Sequence, residues 1–395
     1  MAMRMSGSIA LPLVDEHPEL VGAATALTRS LATMDGALGS IDGASAWLHH
    51  TEYATRAGDL ADHLESVIQL AASDRYASAF ALLRTALEHS CVDELLLLAD
   101  RYRDEVKADD ASCTALEAEY QAGASWASNV VVFQRTKRGV ALIRVGHDVK
   151  NDDGEVVEQL SPYYPVVNDH DAILGPPDAQ ADLAEAFSDP DQLRAWARQN
   201  RGLYDRYLRW SAIVDNLVLN GRLSDSDAIR IQVHYRYLSA FTHATGTGYK
   251  AINRQRGHPG FGRRADHLLG ELVLLYVCAV ALTELRSFQE FVDRRPRLRI
   301  ENRDELDALV RGAESTTAYF WFPRLGAPTG FDFFDEANRR AHSDRPGTFR
   351  SADSLHPDQI PADEVGYYRD PLGRLERLHT GGHEIATGFG FRALW

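Results

Sequence analysis

The sequence predicts an all-α protein: a multi-helix bundle in two halves, with a small β-hairpin insertion and an irregular C-terminal arm. In residues 19–107, alanine and leucine are dense and apolar residues recur every three or four positions, which is typical of amphipathic helices. The same texture returns in residues 193–294, whereas β-branched residues concentrate between residues 129 and 145. We predict four segments: a first helical half (1–127), a β-hairpin insertion with an irregular return (128–187), a second helical half that forms one bundle with the first (188–311), and an irregular, aromatic-rich C-terminal arm (312–395).

Glycines divide the first half into helices. A glycine-rich stretch at 36–43 separates a helix at 18–35 from a second helix at 45–72. A third helix is expected to begin at Ser73-Asp74 and to extend to about Lys107.

The hairpin insertion follows a change of texture near Ser128. Two β-rich runs, 129–135 and 140–145, flank a short turn that contains Gly139, which is the pattern of a β-hairpin. A third strand is expected at 155–160, after an Asn-Asp-Asp-Gly turn.

The second half begins with a helix expected at 193–220. Ser224 and Asp227 form a capping box that begins another helix, which should extend to about Ala244. A core helix over 268–285, apolar on nearly all faces, is expected to continue to about Arg294.

Composition limits the functions that the chain can have. With 42 Lys and Arg against 57 Asp and Glu, the net charge is −15, which argues against a general nucleic-acid coating protein. Three cysteines are too few for a disulfide framework, which favours a reducing compartment. The longest uncharged part of the core helix, residues 272–283, has 12 residues against the ~20 that a membrane span needs. We therefore expect a soluble, cytoplasmic protein without a membrane segment.

The second half is locally basic. Residues 194–311 contain 20 Lys and Arg and 13 Asp and Glu, a net charge of 20 − 13 = +7. This excess indicates either a docking groove for a polyanion or solvated helix faces that balance the acidic first half.

The first stretch with candidate chemistry is on the third predicted helix. Arg84 and Glu88 are four residues apart, so they share a helix face, and Cys91 lies 20° from Arg84 on the same line at 100° per residue. The rest of this face is small or apolar, so an ion pair here is costly to desolvate unless its hydrogen bonds are complete or it serves a function.

The second stretch runs from Tyr235 to His243. Arg236 and His243 are seven residues apart, which places them on one face with Ser239 between them, where a phosphate could lie. The nearby helix C-terminus favours the protonated imidazole of His243.

Together the two stretches resemble a known group of proteins. Leu83-Arg84-Thr-Ala-Leu-Glu88, with Tyr235-Arg236-x-x-Ser239-x-x-x-His243, is similar to a widespread group of bacterial all-helical proteins that in turn resemble HEPN-type domains. The hallmark of HEPN domains is an Arg followed, after four to six residues, by a His on the same helix. The resemblance covers residues 54–103 and 217–291.

The resemblance implies a dimeric, metal-independent ribonuclease, or an RNA-binding toxin or defence protein, with RNA as partner and no cofactor. His243 would be the acid/base for attack by the ribose 2′-OH, and Arg236 would bind the phosphate and stabilise its developing charge. The substrate-binding residues would be Arg84, Glu88, Tyr235 and Ser239.

A non-catalytic protein is the alternative. Arg84, Glu88, Arg236 and His243 could form a buried ionic network that fixes the register of the bundle, while the C-terminal arm contacts a partner protein. A metal site is not predicted, because the glycines between His379 and His383 indicate a surface loop rather than helix-fixed ligands.

Overall fold

The computed structural model describes residues 13, 17–34, 38–40, 47–150, 156–160, 163, 207–242, 262–294, 298–318, 320, 322 and 323. The helices in this part of the chain are α1 (Pro18–Ala32), α2 (Trp47–Ala72), α3 (Tyr76–Leu98), α4 (Asp110–Gln121), α5 (Trp210–Leu219), α6 (Asp225–Thr242), α7 (Gly262–Asp293) and α8 (Arg303–Thr317). The strands are β1 (Leu38–Ser40), β2 (Arg101–Lys107), β3 (Val130–Thr136), β4 (Gly139–Val145), β5 (His147–Lys150), β6 (Val156–Leu160) and β7 (Leu298–Ile300).

The chain divides into two compact units. Unit 1 comprises residues 1–90 and 229–395, and unit 2 comprises residues 91–228. The limits of the units fall inside α3 and α6 and do not coincide with the limits of the four predicted segments. Each unit is described separately below.

Helix α7 forms the centre of unit 1. All residues from Leu272 to Leu282 are at most 1% exposed, as expected for a core helix that is apolar on every face. Helices α1, α2 and α8 pack against it. Strands β1 and β7 form an antiparallel ribbon in the same unit. Among the described residues, no helix combines the length and apolarity that a bilayer span requires.

The prediction of an all-α fold is wrong. Unit 2 contains a three-stranded antiparallel sheet in the order β2–β4–β3, in which the unpredicted strand β2 is added to the predicted β3–β4 hairpin. Strand β2 occupies residues that we predicted as the end of the third helix, which stops at Leu98 instead. The cause is tertiary: all seven residues of β2 pair with β4, from Arg101 opposite Val145 to Lys107 opposite Gly139.

Other predicted elements are correct in kind but differ in their limits. The strand predicted at 155–160 exists as β6, but it pairs with β5 in a separate two-stranded ribbon. Within the helix predicted at 193–220, α5 covers Trp210–Leu219 and follows an extended Arg209, while residues 193–206 lie outside the described residues. Helix α8 continues through Gly312 to Thr317, into the segment predicted as the irregular C-terminal arm, and most of the rest of that segment lies outside the described residues.

The capping box at the start of α6 is confirmed. The backbone N–H of Asp227 donates to Ser224 Oγ at 3.1 Å, and the Ser224 hydroxyl donates to the Asp227 carboxylate at 2.7 Å. The predicted end of this helix, near Ala244, lies outside the described residues.

One face of the three-stranded sheet packs against α4. Cys113 of α4 is buried with Val130, Val140 and Leu142 in a small hydrophobic core. Gly139 begins β4 with a φ of 143°, and a Cβ at this position would lie 2.0 Å from the carbonyl oxygen of Val106. Glycine is therefore required where the hairpin turns against β2.

Helix α5 covers the outer edge of β2. Asn220 Oδ1 accepts hydrogen bonds from the backbone N–H groups of Asp100 and Arg101, both at 2.9 Å, and its Nδ2 donates to the Arg101 carbonyl at 2.7 Å. Asn216 Oδ1, one helical turn earlier, accepts from the N–H of Arg103 at 2.8 Å. Two amide side chains thus satisfy the backbone groups of a sheet edge that could otherwise pair with another strand.

Candidate functional site

Helices α3 and α6 bring four polar side chains together in unit 1. Arg84 donates from Nη2 to Glu88 Oε1 at 3.0 Å and to the Tyr235 hydroxyl at 2.5 Å, and from Nε to Ser239 Oγ at 3.1 Å. The Tyr235 hydroxyl donates to Glu88 Oε1 at 2.8 Å. We call these four residues the Arg84 network. They are the four residues that the sequence predicts as substrate-binding.

The network follows from helical spacing on both elements. Arg84 and Glu88 are one turn apart on α3, and Tyr235 and Ser239 are one turn apart on α6, so each helix presents one i,i+4 pair to the other. Aromatic packing holds the same two helices together, since the Phe80 ring of α3 stacks on Phe241 at 4.8 Å and meets Tyr237 edge-on at 5.4 Å.

The Arg84 network is only partly shielded from water. The Arg84 and Glu88 side chains are 24% and 28% exposed. The Arg84 guanidinium lies over the Tyr235 ring, 4.9 Å from its centroid, which adds a cation–π contact to the hydrogen bonds. A ligand in solvent could therefore reach groups whose orientation is already fixed.

Burial raises the pKa of the Tyr235 phenol above its ordinary value. Hydrogen bonding to Arg84 opposes this rise in pKa, and the bond to Glu88 and the charge of its carboxylate reinforce it. Tyr235 is therefore a neutral hydroxyl at physiological pH, able to accept from Arg84 while it donates to Glu88.

A second side of α6 is held by a buried histidine that we did not predict as a site residue. His234 is fully buried, and its Nδ1 is hydrogen-bonded to the Tyr276 hydroxyl of α7 at 2.7 Å. Its ring also packs against Phe320 and Phe322, with centroids 5.6 and 5.0 Å away. The aromatic residues that follow α8 in the sequence could have indicated this contact, since Phe320 and Phe322 are two of them. This packing fixes the rotation of α6 and so directs Tyr235 towards α3.

Arg236 does not join the Arg84 network. It is exposed and follows Tyr235 by one position, which turns it about 100° around α6 from the Tyr235 line. His243 lies outside the described residues. Of the four residues in the buried ionic network that we considered as the alternative, Arg84 and Glu88 are bonded to each other, and among the described residues they share further hydrogen bonds with Tyr235 and Ser239.

Among the described residues, no group of three or more His, Cys, Asp or Glu side chains could hold a metal ion. His379 and His383 lie outside this part of the chain. Cys91, Cys113 and Cys278 are buried and form no disulfide bond, and burial raises the pKa of the Cys278 thiol to about 12.

Comparison of the chain with protein-family models, curated proteins and solved structures found no match.

Proposed function

We propose that the protein is a metal-independent endoribonuclease of the HEPN-like type, whose site comprises the Arg84 network together with Arg236 and His243. The observation that carries this proposal is the convergence of Arg84, Glu88, Tyr235 and Ser239 at one partly exposed position, through hydrogen bonds between residues that are 147 and 155 positions apart in sequence. The same residues carry the resemblance to HEPN-type domains.

The orientation of Arg84 suits the binding of a phosphate. Its hydrogen bonds within the described residues come from Nε and Nη2, and these bonds to Ser239, Tyr235 and Glu88 fix the guanidinium plane. The Nη1 edge then remains to donate to a phosphate oxygen without reorganisation of the side chain, which is the property that makes a preorganised donor effective. Exposed Arg236, one position from Tyr235, adds a second positive charge on α6.

The proposed reaction is an internal transesterification. The ribose 2′ oxygen attacks the adjacent phosphorus, His243 accepts the 2′ proton, and the bond from phosphorus to the 5′ oxygen breaks to leave a 2′,3′-cyclic phosphate. A water molecule donates a proton to the leaving 5′ oxygen, which becomes a hydroxyl group. Arg236 and Arg84 stabilise the charge that develops on the phosphate oxygens.

The test is cleavage of total RNA in EDTA, with a 2′-deoxy oligonucleotide as the substrate that cannot react. We expect His243→Ala and Arg236→Ala to lower the rate by about 10²-fold or more. Arg299→Ala, which removes a 63% exposed arginine elsewhere in unit 1, should cleave like the wild type. If His243→Ala and Arg236→Ala both cleave at the wild-type rate, the proposal is wrong.

A second candidate is a non-catalytic helical interaction protein in which the Arg84 network only joins α3 to α6. It is favoured by one observation: the Arg84 charge faces Glu88, and three side chains already accept its hydrogen bonds. Under this candidate the wild type cleaves no RNA, and Arg84→Ala changes stability alone. A homodimer and a protein partner for the C-terminal arm are compatible with both candidates, and light scattering of the full chain tests the dimer.

We also propose a cytoplasmic location. An RNA substrate is available there, and three cysteines outside any disulfide bond are compatible with a reducing compartment. Fractionation of cells that produce the full chain tests this assignment.

A further inference from the structure

We propose that the sheet of unit 2 carries a binding surface for the sugar-phosphate backbone of single-stranded RNA. The surface, which we call the outer sheet face, is the side of the β2–β4–β3 sheet turned away from α4. The residues used below are Arg101, Arg103, Glu105 and Lys107 of β2 and Lys137 and Arg138 of the β3–β4 turn. This inference rests on the proposed function for its choice of RNA as the polyanion.

Strand register places the β2 side chains on this face. Leu142 of β4, buried against α4, pairs with Asp104, so the alternate residues Arg103 and Glu105 point to the opposite side of the sheet. Arg101 and Lys107 continue the same alternation, and all four are exposed. Lys137 and Arg138 are exposed in the turn beside Gly139, the residue that pairs with Lys107.

The outer sheet face has an excess of positive charge. Arg103 donates to Glu105 at 3.2 Å, which offsets one charge of each sign. The other four cations, Arg101, Lys107, Lys137 and Arg138, make no ion pair within the part of the chain that the structure describes. The six residues therefore have a net charge of 5 − 1 = +4, in a protein whose total is −15.

Asp109, two residues after Lys107 in the sequence, directs its carboxylate to the start of α4. Asp109 accepts a hydrogen bond at 2.7 Å from the backbone N–H of Ser112 and caps α4. That bond is also the main cause of the lowered pKa of Asp109. The negative charge of Asp109 is thus directed at the N-terminus of α4. The excess positive charge on the outer sheet face remains available to a polyanion.

The residue types on this face indicate how RNA would bind. The sheet aromatics Tyr102 and Phe133 pair with Arg144 and Leu142 on the α4 side, so no aromatic ring of these three strands is left on the outer face to stack on bases. Exposed Val132 pairs with Ile143 on the outer face and supplies an apolar contact. Recognition should therefore depend on phosphate charge, with strong salt dependence and little sequence preference.

The test measures binding separately from cleavage. The probe is a fluorescent 2′-O-methyl oligouridine of about 20 nucleotides, which the proposed reaction cannot cleave, titrated between about 50 and 300 mM salt. The full chain is compared with Lys107→Ala/Lys137→Ala/Arg138→Ala. The matched control is Arg29→Ala/Arg75→Ala/Arg311→Ala, which removes three exposed arginines from unit 1.

We expect the face variant to lose about tenfold or more in affinity near 100 mM salt, and its slope of log K against log salt to fall by about 0.7 for each lost contact. The control should lose much less. Equal losses in the two variants, or no binding by the wild type, overturn the inference, as does tighter binding of the wild type to oligoglutamate than to the RNA probe. If binding behaves as expected while ordinary RNA is not cleaved, the proposed activity fails and the binding surface stands.

Discussion

Helix α3 contributes a glutamate to each of two ion pairs, which lie in different compact units and differ in their exposure to solvent. Arg84 and Glu88, in unit 1, are about a quarter exposed and share their hydrogen bonds with Tyr235 and Ser239. In unit 2, Glu94 is 1% exposed and accepts from Arg222 Nε at 2.7 Å. The comparison separates two uses of charge: the pair around Glu94 is enclosed and holds elements together, whereas the Arg84 network is oriented by its partners and still accessible to a ligand.

The largest expected effect concerns the enclosed pair. Arg222→Ala leaves the Glu94 carboxylate buried without this cation, and we expect the free energy of unfolding to fall by about 3 kcal/mol. Urea denaturation monitored by hydrogen exchange of the β4 amides, which report on unit 2, measures it. A loss below about 0.5 kcal/mol, as for an exposed pair, would remove the distinction between the two pairs.

A neutral contact of unit 2 should come next in size. Asn220→Ala removes three hydrogen bonds to the backbone of Asp100 and Arg101, and we expect a loss of about 2 kcal/mol in the free energy of unfolding. The uncovered β2 edge should also make the variant more prone to aggregate, which light scattering detects. Unchanged stability and solubility would show that α5 does not protect this edge.

In the accessible network the expected change in stability is smaller. Tyr235→Phe keeps the ring beneath Arg84 but removes the hydroxyl bonded to Arg84 and Glu88, so we expect a loss of about 1 kcal/mol. RNA cleavage in EDTA should fall much more than this loss of stability accounts for. A variant that cleaves like the wild type would assign the hydroxyl to structure alone.

The same variant gives a pH signature. Because burial raises the pKa of Tyr235, the folded state favours the neutral phenol; its contribution to stability is complete below the unfolded pKa of about 10 and is lost as pH rises through the folded value. Above pH about 10, the stability of the wild type should therefore fall more steeply than that of Tyr235→Phe. Parallel curves in urea denaturation would contradict the raised pKa.

The smallest effect is expected at an exposed pair. Arg299 and Glu301 are 63% and 51% exposed and 3.6 Å apart, so Arg299→Ala should change the free energy of unfolding by less than about 0.5 kcal/mol. A larger change in the same urea experiment would show that the exposed fraction of an ion pair does not predict its contribution to stability.

The sequence predicts what depends on local pattern. The fully apolar run of α7, the capping box at Ser224 and the hairpin around Gly139 are all present, because periodicity, cap chemistry and turn chemistry act within a few residues. Strand β2 was missed because its residues follow a helix without a break. The alternation of Tyr102, Asp104 and Val106 is only a weak indication of a strand. Pairing with β4, which the sequence does not show, determines that these residues form one.

The sequence predicts the four residues of the Arg84 network as site residues, but it does not predict which face of α6 meets α3. Residue spacing shows which side chains share a face of α6 but not which face meets α3. We gave priority to Arg236, whereas the packing of His234 against Tyr276 and Phe320 turns Tyr235 and Ser239 towards Arg84. The rotation of a helix is set by contacts that are distant in sequence, so periodicity alone leaves several orientations open.

The meeting of α3 and α6 at Glu88 and Tyr235 is tested most directly by a double-mutant cycle with Glu88→Ala, Tyr235→Phe and the combined variant. The contact predicts a coupling of about 1 kcal/mol in the free energy of unfolding, because the 2.8 Å hydrogen bond is removed in all three variants. Effects that add to within about 0.3 kcal/mol would contradict a network shared by the two helices.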